Sequence, residues 1–325
     1  MTAISLTKYA PVLVLLGLLL CTAGCDDASS TAGGPTTSVA SRSGNLNVVA
    51  TTTMVGDLVS RIAGDRAEVK VIMGPGTDPH TFKPAPADIA ALSKADLIFY
   101  NGLHLEGKMV ETLHDRLGSK SVAVAEAVPN DRRLSWQEGE GGAYDPHVWF
   151  DVKLWGIAAG AVRDALIKHD GAGAEEYRRR AAELVSSLDA LDKYAREQLA
   201  TVPKDRRVLI TSHDAYGYFG KAYDVEVRGL QGISTETEAG IQAVNAAVDY
   251  ILKRKIAAVF VESSVSPKTI ERVQADVRAR GFQVKIGGEL YSDAMGQPGE
   301  HPGYEVHTYE GMIRYNVDTI VKALK

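Results

Sequence analysis

Cysteine is all but missing from this chain. Its 325 residues contain two, Cys21 and Cys25, and none further on. The long remainder can therefore hold neither a disulfide nor a thiolate metal site. The leader-like apolar run PVLVLLGLLL, from Pro11 to Leu20, is too short to span a bilayer comfortably. Catalytic signatures are missing too. There is no His-Glu-x-x-His helix, no Gly-x-Ser-x-Gly elbow and no glycine-rich phosphate loop. Basic residues are outnumbered, 36 Lys and Arg against 41 Asp and Glu. A mildly acidic surface argues against nucleic acid as a partner.

What is present at the N-terminus has the layout of an export signal. Lys8 precedes the apolar run, which ends in Thr22-Ala23-Gly24-Cys25, small residues before a cysteine. This resembles the lipobox of bacterial lipoproteins, with Thr22 where leucine is usual. The expectation is a signal peptide over residues 1–25 and lipidation of Cys25. A polar, flexible tether over residues 26–44 follows (DDASSTAGGPTTSVASRSG). Such a protein is anchored by lipid to a bacterial membrane and is periplasmic or extracytoplasmic. Without residues 1–25 the chain carries 35 basic against 41 acidic side chains, a net charge of −6.

From Leu46 onward short apolar runs alternate with amphipathic stretches. LNVVAT, EVKVIMG, DLIFYNG and SVAVAEA form one set, and RVLITSH, VEVRGLQ, AAVFVESS and FQVKIGGEL a second. That rhythm predicts an α/β fold in which βα units form parallel sheets. Between the sets lies AEEYRRRAAELVSSLDALDKYAREQLA, where Leu184, Leu188, Leu191 and Tyr194 keep helical spacing without Gly or Pro. The domain reading is an N-terminal lobe over 45–172, a linking helix over 173–202 and a C-terminal lobe over 203–325. A final helix is expected over about residues 305–324.

The tripeptide Asp-Pro-His occurs twice, as Asp78-Pro79-His80 and Asp145-Pro146-His147. Proline fixes its own φ and extends the residue before it, so each histidine leaves a stiff segment with little backbone entropy to lose. Asp78 and Asp145 can cap the local backbone or accept from an imidazole N–H. His80 follows one predicted strand, His213 ends another, Asp293 follows a third, and His147 precedes a helix. Loops beyond the carboxyl ends of parallel strands line the ligand crevice of such sheets. Two residues from each lobe would then meet at the interface, and two imidazoles would serve one metal ion.

GTDPHTFKPAPADI, YDPHVWFD, TSHDAYGYF and GGELYSDAMG, in this order, resemble the signature stretches of the cluster A-I (cluster 9) solute-binding proteins. These are the TroA-like zinc- and manganese-binding lipoproteins of ABC importers, and the likeness runs from about Leu46 to the C-terminus. It implies His80, His147, His213 and Asp293 as metal ligands, with Glu236 and Glu262 as supporting groups. It further implies an ABC permease as partner and a monomeric carrier. Three imidazoles and a carboxylate suit Zn2+. A carboxylate binding through both oxygens would admit Mn2+. The stretch before the second motif has Glu138 and Glu140 but no run of histidines, unlike many zinc-dedicated relatives, so manganese stays open.

Other histidines have plainer expectations. His104, beside Glu106, is read as a loop residue with a structural hydrogen bond; His114 and His169 as solvent-facing; His301 and His307 as flanking the last helix. Trp149, Phe150, Tyr216, Tyr218 and Phe219 fit either a wall around the site or packing between βα elements. A zinc hydrolase would keep an open coordination position for water, whereas four protein ligands leave little room for one. The expectation is a binding protein and not an enzyme. An adhesin-like or scaffold lipoprotein with a structural metal is the remaining alternative.

Overall fold

The computed structural model describes residues 45–136 and 143–325. The signal and tether with Cys25, and the loop acids Glu138 and Glu140, lie outside the described residues. In the first half, β1 (Leu46–Ala50), β2 (Ala67–Val71), β3 (Leu97–Tyr100) and β4 (Ser121–Ala123) form one sheet in the order β2-β1-β3-β4. All its pairings are parallel. In the second half, β5 (Val208–Thr211) pairs with β6 (Glu226–Gly229), and β7 (Ala258–Glu262) with β8 (Lys285–Leu290), again in parallel. β5 lies beside β7, so the winding of the first half recurs. Every strand named from the sequence is present.

The helices are α1 (Thr53–Ala63), α2 (Pro86–Lys94), α3 (Val152–His169), α4 (Ala174–Ala200), α5 (Gly217–Tyr223), α6 (Ile241–Arg254), α7 (Lys268–Ala279) and α8 (Tyr309–Leu324). Their starts follow from local chemistry. The Thr52 hydroxyl accepts from the Val55 N–H, and Asp151 Oδ1 accepts from the N–H groups of Lys153 and Leu154. Proline opens α2. α8 begins four residues later than 305, because Thr308 caps it by accepting from the Gly311 N–H. The stretch just before it is a turn closed by Thr308 N–H on Glu305 O.

Side-chain alternation in the strands explains how the halves are joined. Leu46, Val48, Ala50, Leu97 and Phe99 point to one face, with Leu209, Ala258 and Phe260 from the second half. All of these belong to one continuous core with α1, α3, α4 and α8. The opposite faces bury separate clusters: Val49, Ile98 and Tyr100 with Leu92 in the first half, and Val208, Ile210 and Val259 with α6 and α7 in the second. α4 is the spine of the shared core. Leu184, Leu188 and Leu191 are buried, and the helix lies against α1, α3, α5 and α8. Tyr194 is only partly buried and donates from its hydroxyl to Asp318. No helix among the described residues is long and apolar enough to cross a membrane.

Candidate metal site

The parallel strands end at one region, and their ends carry the chemistry. His80 lies on the segment between β2 and α2, and His147 just before α3. His213 lies two residues after β5, Glu262 closes β7, and Asp293 follows β8. The structure brings His80, His147, His213 and Asp293 together: one ligand-type atom from each lies within 4.8 Å of all the others. His80 Nε2 is 3.3 Å from His147 Nε2, and His213 Nε2 is 3.2 Å from Asp293 Oδ2. Asp293 Oδ1 is 3.4 Å from His147 Nε2. None of the four residues is more than 3 % exposed.

The polar atoms at the centre lack ordinary partners. Both carboxylate oxygens of Asp293 and the Nε2 of His213 are buried without a hydrogen bond. Buried polar groups are normally paired, so unpaired acceptors that face each other call for a cation. Three imidazole nitrogens and a carboxylate are the donor set of a borderline transition-metal ion.

Two of the imidazoles are oriented from behind by carboxylates. Asp145 Oδ1 accepts from the His147 backbone N–H at 2.9 Å and meets its Nδ1 at 2.7 Å. Glu262 Oε1 accepts from the His213 backbone N–H at 2.9 Å. Its Oε2 lies 2.6 Å from His213 Nδ1, though off the line of a well-formed hydrogen bond. In both rings Nδ1 faces a carboxylate and Nε2 turns to the centre.

Asp78 does something different from Asp145. It accepts from the His80 N–H and the Thr81 hydroxyl, capping its own turn, and from the Thr235 hydroxyl of the second half at 2.6 Å. Glu236 does not join the site. Its neighbour Thr235 makes that contact, while Glu236 is exposed and its backbone N–H reaches Ser234. The sequence expectation for Glu236 is corrected on that ground.

Electrostatics divide the histidines. Burial is the main influence on His80 and, with the neighbouring rings, outweighs Asp293 and takes it down to about 3. Burial also pulls His147 down, but Asp145 and Asp293 outweigh it and lift the ring to about 9. For His213 the same opposition, with Glu262 and Asp293 prevailing, ends well above the ordinary value. Burial pushes Asp293 up, yet the His213 and His147 rings hold it well below the usual carboxylate range.

An aromatic seam packs beside the site. Trp149 stands edge-on to His147, with centroids 5.2 Å apart, and its Nε1–H donates to Ser292 O. Phe150 stacks on Tyr216 at 4.2 Å, and the Tyr216 hydroxyl donates to Tyr291 O. Tyr218 accepts from the Leu134 N–H and donates to Asp145 O, tying α5 to the second Asp-Pro-His. Trp149 therefore walls the site at His147, while Phe150, Tyr216 and Tyr218 pack the elements around it together. The remaining histidines stay outside. His104 and His169 are exposed, His114 pairs with Asp115, His301 stacks on Tyr315, and His307 lies 3.4 Å from Glu305.

Sequence reasoning passed over Asn101 and gave Glu106 no definite role. Glu106 is buried, and burial pushes it up to about 7 against the pull of the backbone N–H groups and hydroxyl that donate to it. The pair Asn-Gly directly after a strand is the signal that marks this turn.

A buried cluster gathered from strand ends in both halves defines a ligand-binding protein of the α/β class. The family described as "ZnuA: Zinc-uptake complex component A periplasmic" matches residues 48–323. This chain belongs to that family. It is 46% identical over 286 residues to "Zinc-binding protein TroA" of Treponema pallidum (strain Nichols), covering 88% of this chain and 91% of the relative. It is 44% identical over 282 residues to "Manganese-binding lipoprotein MntA" of Bacillus subtilis (strain 168), covering 86% and 90%. Among solved structures, the periplasmic zinc-binding protein TroA of Treponema pallidum superposes with a TM-score of 0.82 at 45% identity. That match covers 86% of this chain and 99% of the other.

Proposed function

We propose that this chain is the extracytoplasmic solute-binding component of an ABC metal importer. It would hold one divalent transition-metal ion between His80, His147, His213 and Asp293 and pass it to the permease. The observation that carries this reading is the meeting of three buried imidazoles with a carboxylate that faces them at 3.2, 3.4 and 4.0 Å. The ion is cargo. Its capture requires neutral imidazoles, so binding displaces protons from the raised pair His147 and His213. As a member of this family the chain is a binding protein and not an enzyme.

Zinc is the favoured cargo, because imidazole-rich sites suit it and it outcompetes manganese at a given nitrogen and oxygen site. Manganese is the second reading. It is favoured by Asp293, both of whose oxygens face the ligand histidines, and by the near-equal likeness to a manganese-binding relative. Cys25 would carry the lipid anchor and residues 26–44 the tether, in keeping with a relative named as a lipoprotein. The protein would work as a monomer, with lobes at 45–172 and 203–325 on the linking helix. Their shared core would limit closure to small shifts of the ligand loops.

The test is exchange. Stripped protein is titrated with Zn2+ and Mn2+ in competition while its melting is followed. A folded metal-free form that binds zinc reversibly, and that manganese does not displace, supports a zinc carrier. Comparable binding of both ions would mean that supply decides the cargo. A metal-free form that is unfolded would point to a scaffold with a structural metal, and transport would be abandoned.

A further inference from the structure

Both Asp-Pro-His segments rest on one turn, Asn101–Gly107, which follows β3. Asn101 is buried, and its Nδ2 donates to Pro146 O, the carbonyl directly before His147, at 3.0 Å. At the other end, Gly107 lies so close beneath His80 that a Cβ there would overlap the His80 carbonyl oxygen. One end of the turn thus supports the second imidazole and the other end the first.

The turn does not have a relaxed shape. Gly102, Leu103, His104 and Gly107 all have positive φ, at 83°, 53°, 66° and 42°. Leucine and histidine rarely adopt that conformation, which persists only where the surroundings impose it. Glu106 supplies the constraint. It is 1 % exposed. Its Oε1 accepts from the Thr51 hydroxyl at 2.8 Å and the Asn101 N–H at 2.6 Å, and its Oε2 accepts from the Gly102 N–H at 3.1 Å. The side chain therefore reaches back across its own turn and fastens it to the end of β1.

We propose that Glu106 is a positioning residue for cargo binding, and that the turn it pins sets His80 and His147 at their mutual distance. This rests on the reading of the four-residue cluster as a metal site. Asp145 orients the His147 ring from behind, while Asp78 accepts from the His80 backbone N–H and from the Thr81 and Thr235 hydroxyls and not from the His80 ring. The registration of one ring against the other therefore falls to the turn between them. A plain structural carboxylate would lower stability when removed. A positioning carboxylate would also change the geometry at the ion.

The experiment uses the full chain and its Glu106→Ala, Glu106→Gln and Gly107→Ala variants. Val248→Ala, in the separate core of the second half, serves as a destabilised control. Zinc affinity is measured by chelator competition, and the ligand field by the visible spectrum of the Co2+ form. The expected result is an affinity loss of about 10- to 100-fold in Glu106→Ala and Gly107→Ala, with a shifted Co2+ spectrum. Glu106→Gln, which keeps one acceptor oxygen, should lie between them and the wild type. Val248→Ala should melt lower yet bind zinc with the wild-type affinity and spectrum. If Glu106→Ala does not fold, the other two variants decide. Folded Glu106→Gln and Gly107→Ala with wild-type affinity and spectrum would overturn the proposal, as would an equal loss in Val248→Ala. A wild type that takes up neither zinc nor Co2+ would instead refute the metal site itself, and this inference with it.

Discussion

Glu262→Gln is the substitution whose effect depends most informatively on pH. The carboxylate is 2 % exposed, anchors the His213 backbone N–H at 2.9 Å and lies 2.6 Å from its Nδ1. An amide of the same shape keeps one acceptor but no longer fixes the tautomer or raises the basicity of Nε2. Loss of such a partner weakens metal binding about 10- to 100-fold, or about 1.4 to 2.8 kcal/mol. A second effect opposes the first. In the metal-free wild type, burial depresses His213, but Glu262 and Asp293 prevail and hold its proton to well above the ordinary pH range of a histidine. That proton must leave before an ion binds. The amide removes one of the two carboxylates that retain it, so proton competition is weaker in the variant. Proton competition fades as pH rises, whereas the loss of orientation does not. The variant should therefore show its largest deficit at about pH 8 and a smaller one at about pH 6. Chelator-competition titrations with zinc at both ends of that range provide the assay. Wild-type affinity at the alkaline end, or a deficit that grows toward acid, would refute the reasoning.

The same electrostatics predict proton release. His147, lifted to about 9, and His213, raised well above the ordinary histidine value, carry protons at neutral pH, while His80, at about 3, does not. Zinc uptake should then expel about two protons, so affinity strengthens with pH until both protons are gone. Calorimetry in buffers of different ionisation enthalpy counts them, and no release would contradict the assignment. Gly229→Ala should reduce stability by about 1–3 kcal/mol, since its Cβ would overlap the backbone of His213 and Asp214. Denaturant unfolding checks this, and an unchanged midpoint would show that β6 yields at no cost.

Much of the fold was legible because its periodicities are strong. The eight apolar runs became β1 to β8, and the leucine spacing in α4 became the spine of the core. The four residues that converge were legible from their place at strand ends and from four ordered motifs. What could not be read was reach across the chain. Asp78 and Asp145 have the same sequence neighbours, yet one meets Thr235 of the opposite half and the other meets its own histidine ring. Glu236 stands next to the residue that makes that contact and points to solvent. The positive φ of Leu103 and His104 has no sequence signal of its own, because it is imposed by Glu106 from within the fold. The continuity of the core through both halves likewise depends on which strand faces meet, and spacing within one strand does not determine that.

The central claim is that His80, His147, His213 and Asp293 hold the cargo. The most direct measurement is zinc bound per chain at equilibrium in a metal buffer, for the wild type and for His213→Ala. The account predicts one tightly held ion in the wild type and a loss of affinity in the variant, with the protein still folded. Equal zinc content and equal affinity in the two proteins would contradict it.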